Sequence, residues 1–543
     1  MPNRFISAQE AALLIADNDT IATAGFIGIG FAETLAKAIE KRFLATGHPS
    51  SLNLVYAAGQ GDAESRGLNR FGHEGMLKRV IGGHWGLAPR LGKLAIENKI
   101  EAYNLPQGVI CHLFRDIAAG KPGTLTHVGL NTFVDPQQDG GKINSSTHED
   151  LVERIEIAGS PFLLYKTFPI NIALLRGTTV DGHGNISMEK EALPLEALAI
   201  AQAVKSSGGK VIVQVERTTE QHQVTPDRVR IPGILVDHVV LSEAEDHPQT
   251  FAEQYNPAYC GEVRTGNPLK PIPLSARKII GRRALMELRK GSVVNLGIGI
   301  PEIISHIAAE EGRLKEFTLT VEAGGIGGSP ASGLSFGAIA NADAIIDQPA
   351  QFDFYDGGGL DQAFLGLAEA DPQGHINVSR FGTRLAGCGG FINITQNTRD
   401  VYFLGTFTSG PQALEVNNNQ LTIIENGPIK KFLAAVEQIT FNGQYALEKQ
   451  QNVMFITERA VFKLTEKGLK LLEIAPGVNL KTDILDHMGF IPLIDDDYVL
   501  MDPRLFNDGP MNLQHVGSMP MPHMRSVWKR VLESTSQDHE FSQ

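Results

Sequence analysis

The 543-residue chain is poor in cysteine, in tryptophan and in basic excess, and it has no long apolar run. Its three cysteines, Cys111, Cys260 and Cys388, stand far apart without a CxxC pair, so neither a disulfide framework nor a zinc ribbon is expected. A formal charge of −13 argues against nucleic acid as a partner, because duplex or single-strand binding needs a broad basic surface. No stretch reaches the roughly 18 uninterrupted apolar residues of a membrane span. The N-terminal Met1-Pro-Asn-Arg-Phe-Ile-Ser leads into Gln9, Glu10 and Asp17 rather than an apolar core, so no signal peptide is expected. These features predict a reduced cytoplasmic setting with neither membrane nor nucleic-acid partner. Sixteen histidines are scattered without HExxH spacing, and no metal site is expected.

Glycine is abundant, at 57 residues, above the usual share of about 7%. It clusters in short tracts, and two of these repeat. Ile6-Ser-Ala-Gln-Glu precedes a helical pattern and then Ile21-Ala-Thr-Ala-Gly25-Phe-Ile-Gly28-Ile-Gly30-Phe-Ala-Glu33. Leu274-Ser-Ala-Arg-Lys precedes another and then Val293-Val-Asn-Leu-Gly297-Ile-Gly299-Ile-Pro301-Glu302. Later in each half, Asp181-Gly-His-Gly184-Asn-Ile186 answers Asp371-Pro-Gln-Gly374-His-Ile376. Two matches in the same order predict an internal duplication. The prolines of Gly266-Asn-Pro268-Leu-Lys-Pro271-Ile-Pro273 favour an extended linker between the copies.

Apolar β-rich runs alternate with amphipathic helices: Leu193–Val204 reads as a helix and Val211–Val215 as the strand after it. Ile303, Ile304, Ile307 and Ala308 mark one face of a helix starting at Pro301. The pattern predicts an α/β fold of two related domains with mainly parallel sheets, 1–267 and 274–515, joined by a linker at 268–273. A tail follows at 516–543.

In Phe317-Thr-Leu-Thr-Val-Glu322-Ala-Gly324-Gly325-Ile-Gly327-Gly328, a strand ends on an acid and a glycine-rich turn. Ligands in open α/β sheets bind beyond the carboxyl ends of strands. Gly324 and Gly325 permit positive φ and close approach of a bulky reactant. An ionised carboxylate there can attack a thioester carbonyl as a nucleophile. The same placement also suits a solvated strand-end acid, so position alone leaves both open.

Other signals carry less. Gly333-Leu-Ser335-Phe-Gly337 has the G-x-S-x-G spacing of serine hydrolases, but the turn-like Ser329-Pro-Ala-Ser precedes it where a strand is required. Gly28-Ile-Gly30 and Gly297-Ile-Gly299 lack the third glycine of a dinucleotide fingerprint. Glu33 and Glu302 stand in its place and would repel a pyrophosphate. Lys430, Lys431, Lys463, Lys467 and Lys470 are expected on solvated faces.

Taken together, Ala24–Gly28, Asn104-Leu-Pro-Gln107-Gly108, Gly123–Asp135, Asn295–Glu302, Val321–Gly328, Gly357–Asp361, Ala386-Gly387-Cys-Gly389-Gly390-Phe391 and Ile474–Gly477 resemble the family I CoA-transferases. The resemblance is to the single-chain acetate and propionate type, with α-like and β-like halves fused, and runs from Ile6 to about Phe506. It implies that Glu322 forms a γ-glutamyl-CoA thioester and that Gly389 or Gly390 offers an oxyanion-stabilising N–H. It also implies that Gln107 faces the same cleft, and that Gly299, Gly324, Gly325 and Gly387 lie against coenzyme A. Ala323 departs from the small polar residue common at that position. The implied substrates are coenzyme A, acyl-CoA and short-chain carboxylic acids, with no permanently bound cofactor, in a homodimer or homotetramer. An acyl-CoA hydrolase using the same glutamate, or an effector-binding protein of the same fold, are the alternatives.

Overall fold

The computed structural model describes residues 4–220, 224–266, 269 and 271–513. Residues 268 and 270 of the expected linker, and the whole of the expected 516–543 tail, lie outside the described residues. The chain divides into two compact units. Among the described residues, the first comprises 4–266, 321–352 and 378–393, and the second comprises 269–320, 353–377 and 394–513.

A nine-stranded sheet organises the first unit; seven of its strands run parallel in the spatial order Glu101–Asn104, Leu77–Gly82, Leu52–Tyr56, Thr20–Thr23, Ile172–Val180, Lys210–Thr218, His238–Leu241, and the short Ile186–Ser187 and Val229–Ile231 pair antiparallel at the end of Ile172–Val180. Ile172–Val180 is buried at every position, as a central strand covered on both faces must be. Helices Glu33–Thr46 and Pro89–Ile96 bring Leu35, Ile39, Leu91 and Leu94 into one core with Ile21, Leu54, Trp85 and Ile172. A separate antiparallel sheet is made of Gly123–Thr126, Ser160–Lys166 and Val152–Ile157.

The second unit repeats the plan. Thr318–Val321, Val293–Leu296, Gln362–Gly366, Asp400–Leu404 and Asn452–Ile456 run parallel, and an antiparallel meander, Ala460–Thr465 and Gly468–Ile474, extends the sheet. Its core is aromatic, with Phe364 stacked on Tyr402 at 4.6 Å and Phe403 edge-on to Phe441 at 5.0 Å.

The two sequence echoes are structural echoes. Ser7 Oγ accepts from the Glu10 N–H at 3.1 Å, and Ser275 Oγ accepts from the Lys278 N–H at 3.3 Å, each capping its helix. The Asp181 carboxylate accepts from the N–H groups of His183 and Asn185, both at 2.9 Å. Asp371 accepts from Gln373 and His375, both at 3.0 Å. The fold is α/β in two related halves.

Some expectations shift. The helix read as Leu193–Val204 forms over Ala197–Ser206, because Pro194 lacks an N–H and Leu195 sits at φ +54°. Lys431 is not on a solvated face: burial lowers its pKa, and its ammonium donates to the Leu367 carbonyl at 3.1 Å. Glu33 is held by its own chain, accepting from the Gly67 N–H at 3.0 Å and from Arg70 at 2.5 Å.

Candidate active site

Parallel strands release their next residues at one edge of a sheet. In the first unit, Thr23, Tyr56, Gly82 and Asn104 end four adjacent strands. The segments they release carry Gly25, Gly59-Gln60, Gly83-His84 and Gln107. The first is strained: Ile27 sits at φ +56°, costly for a β-branched residue, held by its N–H to the Gly59 carbonyl at 2.7 Å. Four loops thus meet along one edge.

A turn from far along the chain is stitched to this edge. Trp85 and Gly86 donate to the Ala386 carbonyl at 2.7 and 2.9 Å. The Cys388 N–H donates to Asn104 Oδ1 at 2.9 Å, and Gly389 N–H donates to the Gly83 carbonyl at 2.8 Å. Gln107 N–H returns a bond to the Gly389 carbonyl at 2.9 Å. A methyl group at Gly387 would come within 2.9 Å of the Gly83 carbonyl, so the small residue is what lets the turn close here. Gly389 spends its N–H on Gly83; of the expected oxyanion pair, Gly390 is the donor outside these bonds.

Gln107 begins the Gln107–Ala118 helix and is 2% exposed. Its Nε2 has no partner among the described residues, while its Oε1 lies 3.7 Å from where a side chain on Gly389 would begin. Residue 108 must be glycine because Phe352 Cδ1 and Asn393 Nδ2 fill the space beside it. Asn393 Oδ1 also accepts from the Gly108 N–H at 3.1 Å.

Beside Gln107 is His84, which the sequence reading passed over. Its ring is hemmed by Gly59, Gly86 and Gly389, and its Nδ1 has no partner among the described residues. Enclosure pushes its pKa down to about 4, so the imidazole is neutral near pH 7. The ring keeps some accessible surface, as a group facing a recess does. Its available signal was Gly82-Gly83 directly after an apolar strand, the same signature as Gly25 and Gly59.

Glu322 enters the first unit at the end of the Thr318–Val321 strand. Val321 and Ala323 on either side are buried in one cluster with Phe26, Ile27, Leu195 and Phe336, and Glu322 between them is half-buried. Gly324 closes the turn: its N–H donates to the Val321 carbonyl at 3.0 Å and its carbonyl accepts from Ile346 at 2.9 Å. At φ +123°, and with the Ile346 oxygen 2.2 Å from any added Cβ, only glycine fits. The space beside Gly325 is filled by Ile339, whose Cδ1 would lie 2.3 Å from a Cβ. Both glycines therefore serve close packing of the Glu322 turn.

Glu322, Gln107, Gly324, Gly325, Gly387, Gly389 and Gly390 all belong to the first unit; Gly299 belongs to the second, where Arg277 donates to its carbonyl at 3.0 Å. Ser335 lies in a short 3₁₀ turn, with its hydroxyl bonded to Thr250 at 2.8 Å and to Glu253 at 3.0 Å. Burial drives the Cys388 thiol far up, which makes it a packing residue. Among the described residues no group of three or more His, Cys, Asp or Glu side chains could hold a metal ion, and no helix is long and apolar enough to cross a membrane.

Residues 5–242 match the Coenzyme A transferase family. The chain is 48% identical over 512 residues to caffeate CoA-transferase of Acetobacterium woodii, covering 93% of this chain and 98% of that one. Acetate CoA-transferase YdiF of Escherichia coli (strain K12) is 44% identical over 509 residues, covering 93% and 96%. The crystal structure of the E. coli O157:H7 acyl-CoA transferase YdiF, a thioester complex with CoA, superposes with a TM-score of 0.90 at 42% identity, over 95% of this chain and 98% of that one. With a fold and sequence shared over nearly its whole length, this chain belongs to the coenzyme A transferase family and is a CoA-transferase.

Proposed function

We propose that the chain moves CoA between an acyl-CoA and a free carboxylic acid such as acetate, by a ping-pong route through a γ-glutamyl-CoA thioester at Glu322. The observation that carries this is the Glu322 turn itself: a half-buried carboxylate on a glycine-locked strand end, flanked by two buried side chains that prevent its retreat. The CoA thioester complex of the similar E. coli enzyme supports the same chemistry here.

The steps balance without an external base. The Glu322 carboxylate attacks the thioester carbonyl, and the tetrahedral adduct expels CoA thiolate to leave a glutamyl–acyl anhydride. Thiolate then attacks the glutamyl carbonyl and releases the first carboxylate. The acceptor carboxylate attacks the glutamyl thioester, thiolate departs, and its return to the acyl carbonyl of the new anhydride regenerates Glu322. Negative charge gathers on a carbonyl oxygen in each tetrahedral adduct, where preorganised donors give the largest rate benefit. The Gln107 Nε2, which no acceptor among the described residues occupies, and the Gly390 N–H are the donors we assign. A neutral His84 fits a route whose nucleophiles are all anions, since an imidazolium there would protonate the thiolate that must react next.

The α-like half is 1–267 and the β-like half 274–515, and the resemblance favours a cytoplasmic homodimer or homotetramer that static light scattering can size. The transfer itself is tested by exchange. CoA appearing on isotope-labelled acetate supports the reading, whereas release of free CoA without an acceptor means hydrolysis.

A further inference from the structure

A buried guanidinium brings five N–H donors, and nearly all buried donors in folded proteins find an acceptor. Arg176 stands in the middle of the Ile172–Val180 strand and is 3% exposed. Its Nε donates to Glu191 Oε1 at 3.1 Å, and its Nη2 meets Glu191 Oε2 at 3.0 Å and the His247 carbonyl at 3.5 Å. Nη1 has no acceptor among the described residues. Together with Lys190, Glu216, His247, Gln254 and Tyr255, Arg176 lines a cavity of about 170 Å³. With Nε and Nη2 bonded, the two N–H groups of Nη1 are what the guanidinium offers to this space.

All six residues belong to the first unit, and its sheet supplies one wall. Arg176 is in register with Gln214 on the neighbouring strand, and Glu216, two residues on, faces the same side. Gln214 Nε2 donates to His247 Nδ1 at 3.1 Å, which leaves the ring proton on Nε2, 3.2 Å from Glu191 Oε1. Burial, with the charge of Arg176 beside it, lowers the His247 pKa, so the ring is neutral near pH 7. Burial alone would raise the Glu191 carboxyl, but Arg176 and His247 outweigh it and hold it down at about 2. Lys190 donates to Glu216 at 2.9 Å and sits 5.3 Å from the centroid of the Tyr255 ring. The cavity wall thus carries two cations, Arg176 and Lys190, each against one carboxylate, and no net charge.

We propose that this cavity binds a small zwitterion, an α-amino acid with a short side chain, using none of the residues assigned to CoA transfer. The ligand carboxylate accepts from Arg176 Nη1. Its ammonium donates to the Glu216 carboxylate, whose side chain is 34% exposed and takes one bond from Lys190. A lone anion or a lone cation would bring an uncompensated charge into a half-enclosed space, which is costly, whereas a zwitterion brings none. The size agrees. A water molecule fills about 30 Å³ of the liquid, so the cavity has room for roughly six non-hydrogen atoms, as many as alanine has. The site stands independently of the CoA-transfer reading through Glu322.

Calorimetry of the full chain with L-alanine, glycine, propionate and ethylamine tests this, since propionate lacks the ammonium of alanine and ethylamine lacks its carboxylate. Alanine should bind with a Kd on the order of 1 mM or tighter. Excess propionate, ethylamine or coenzyme A should not displace it. Glu216→Gln should weaken alanine roughly tenfold or more, as loss of a charged hydrogen-bond partner does. Ala244→Leu, which fills the cavity from an exposed position, should abolish binding. Arg176→Gln should abolish it too; where that variant fails to fold because Glu191 is left unpaired, the Glu216 and Ala244 variants decide the question. A cavity that takes neither alanine nor glycine holds water only, and that result overturns the site. So does displacement of alanine by propionate, which would make it a plain anion site, or binding unmoved in the folded variants.

Discussion

The Gly389 N–H donates to the Gly83 carbonyl at 2.8 Å while the Gly389 carbonyl accepts from Gln107 N–H at 2.9 Å, so one glycine ties two strand ends together. The bond pair commits the Gly389 amide and orients its neighbour. The glycine at 389 thereby acts as a clamp, so under the proposed route the oxyanion donor is Gly390 rather than Gly389.

Gln107→Leu removes the side-chain donor and keeps the volume. We expect kcat to fall on the order of a hundredfold, with a smaller change in KM, as for loss of one oxyanion donor. Steady-state kinetics with acetate as acceptor measure it; a change confined to KM would mean that Gln107 only binds substrate.

Gly324→Ala and Gly389→Ala should differ sharply, although both glycines have positive φ. At 324 the new methyl would lie 2.2 Å from the Ile346 oxygen, so the turn must shift. At 389 the nearest atoms are 3.7 Å away, leaving only the backbone strain of about 1–2 kcal/mol. Thermal scans should show a much larger loss for Gly324→Ala, together with loss of transfer; equal losses would contradict the packing described for the Glu322 turn.

Glu196 gives stability a defined pH dependence. Its folded pKa, about 8, lies above its ordinary value of 4.5. Between these values the folded chain holds a proton that the unfolded chain has lost, so stability from this group falls as pH rises through that window. Glu196→Gln should therefore raise the melting temperature more at pH about 8 than at pH about 5. A constant difference across that range would show that Glu196 is not protonated in the folded chain.

His84 acts with the opposite sign. Its pKa is lowered from 6.5 to about 4, so the unfolded chain binds the extra proton first and stability is lost as pH falls through that interval. In His84→Gln this acid limb should flatten. An unchanged limb would assign the acid sensitivity to other groups.

Much of this was legible in the chain itself. The strand before Glu322, the glycine turn after it and the paired Asp181 and Asp371 turns stand where local pattern puts them, because each depends on residues a few positions apart. Helix starts were read less well: the positive φ of Leu195 delays the helix after Pro194 to Ala197, and the helix read from Pro301 begins at Ile303. His84, Glu196 and Arg176 were invisible for a different reason. An unpaired imidazole, carboxyl or guanidinium nitrogen is defined by what surrounds it, and those neighbours come from distant segments, such as Gly389 beside His84 and His247 beside Arg176.

The central claim concerns a covalent bond at Glu322, and mass spectrometry reads it directly. After incubation with an acyl-CoA and no acceptor acid, the peptide carrying Glu322 should gain the mass of coenzyme A less one water. Added acetate or hydroxylamine should discharge it. In Glu322→Gln, whose amide is no nucleophile, the adduct and the transfer activity should both vanish. Absence of the adduct from an enzyme that is turning over, or its appearance on another residue, would contradict the account.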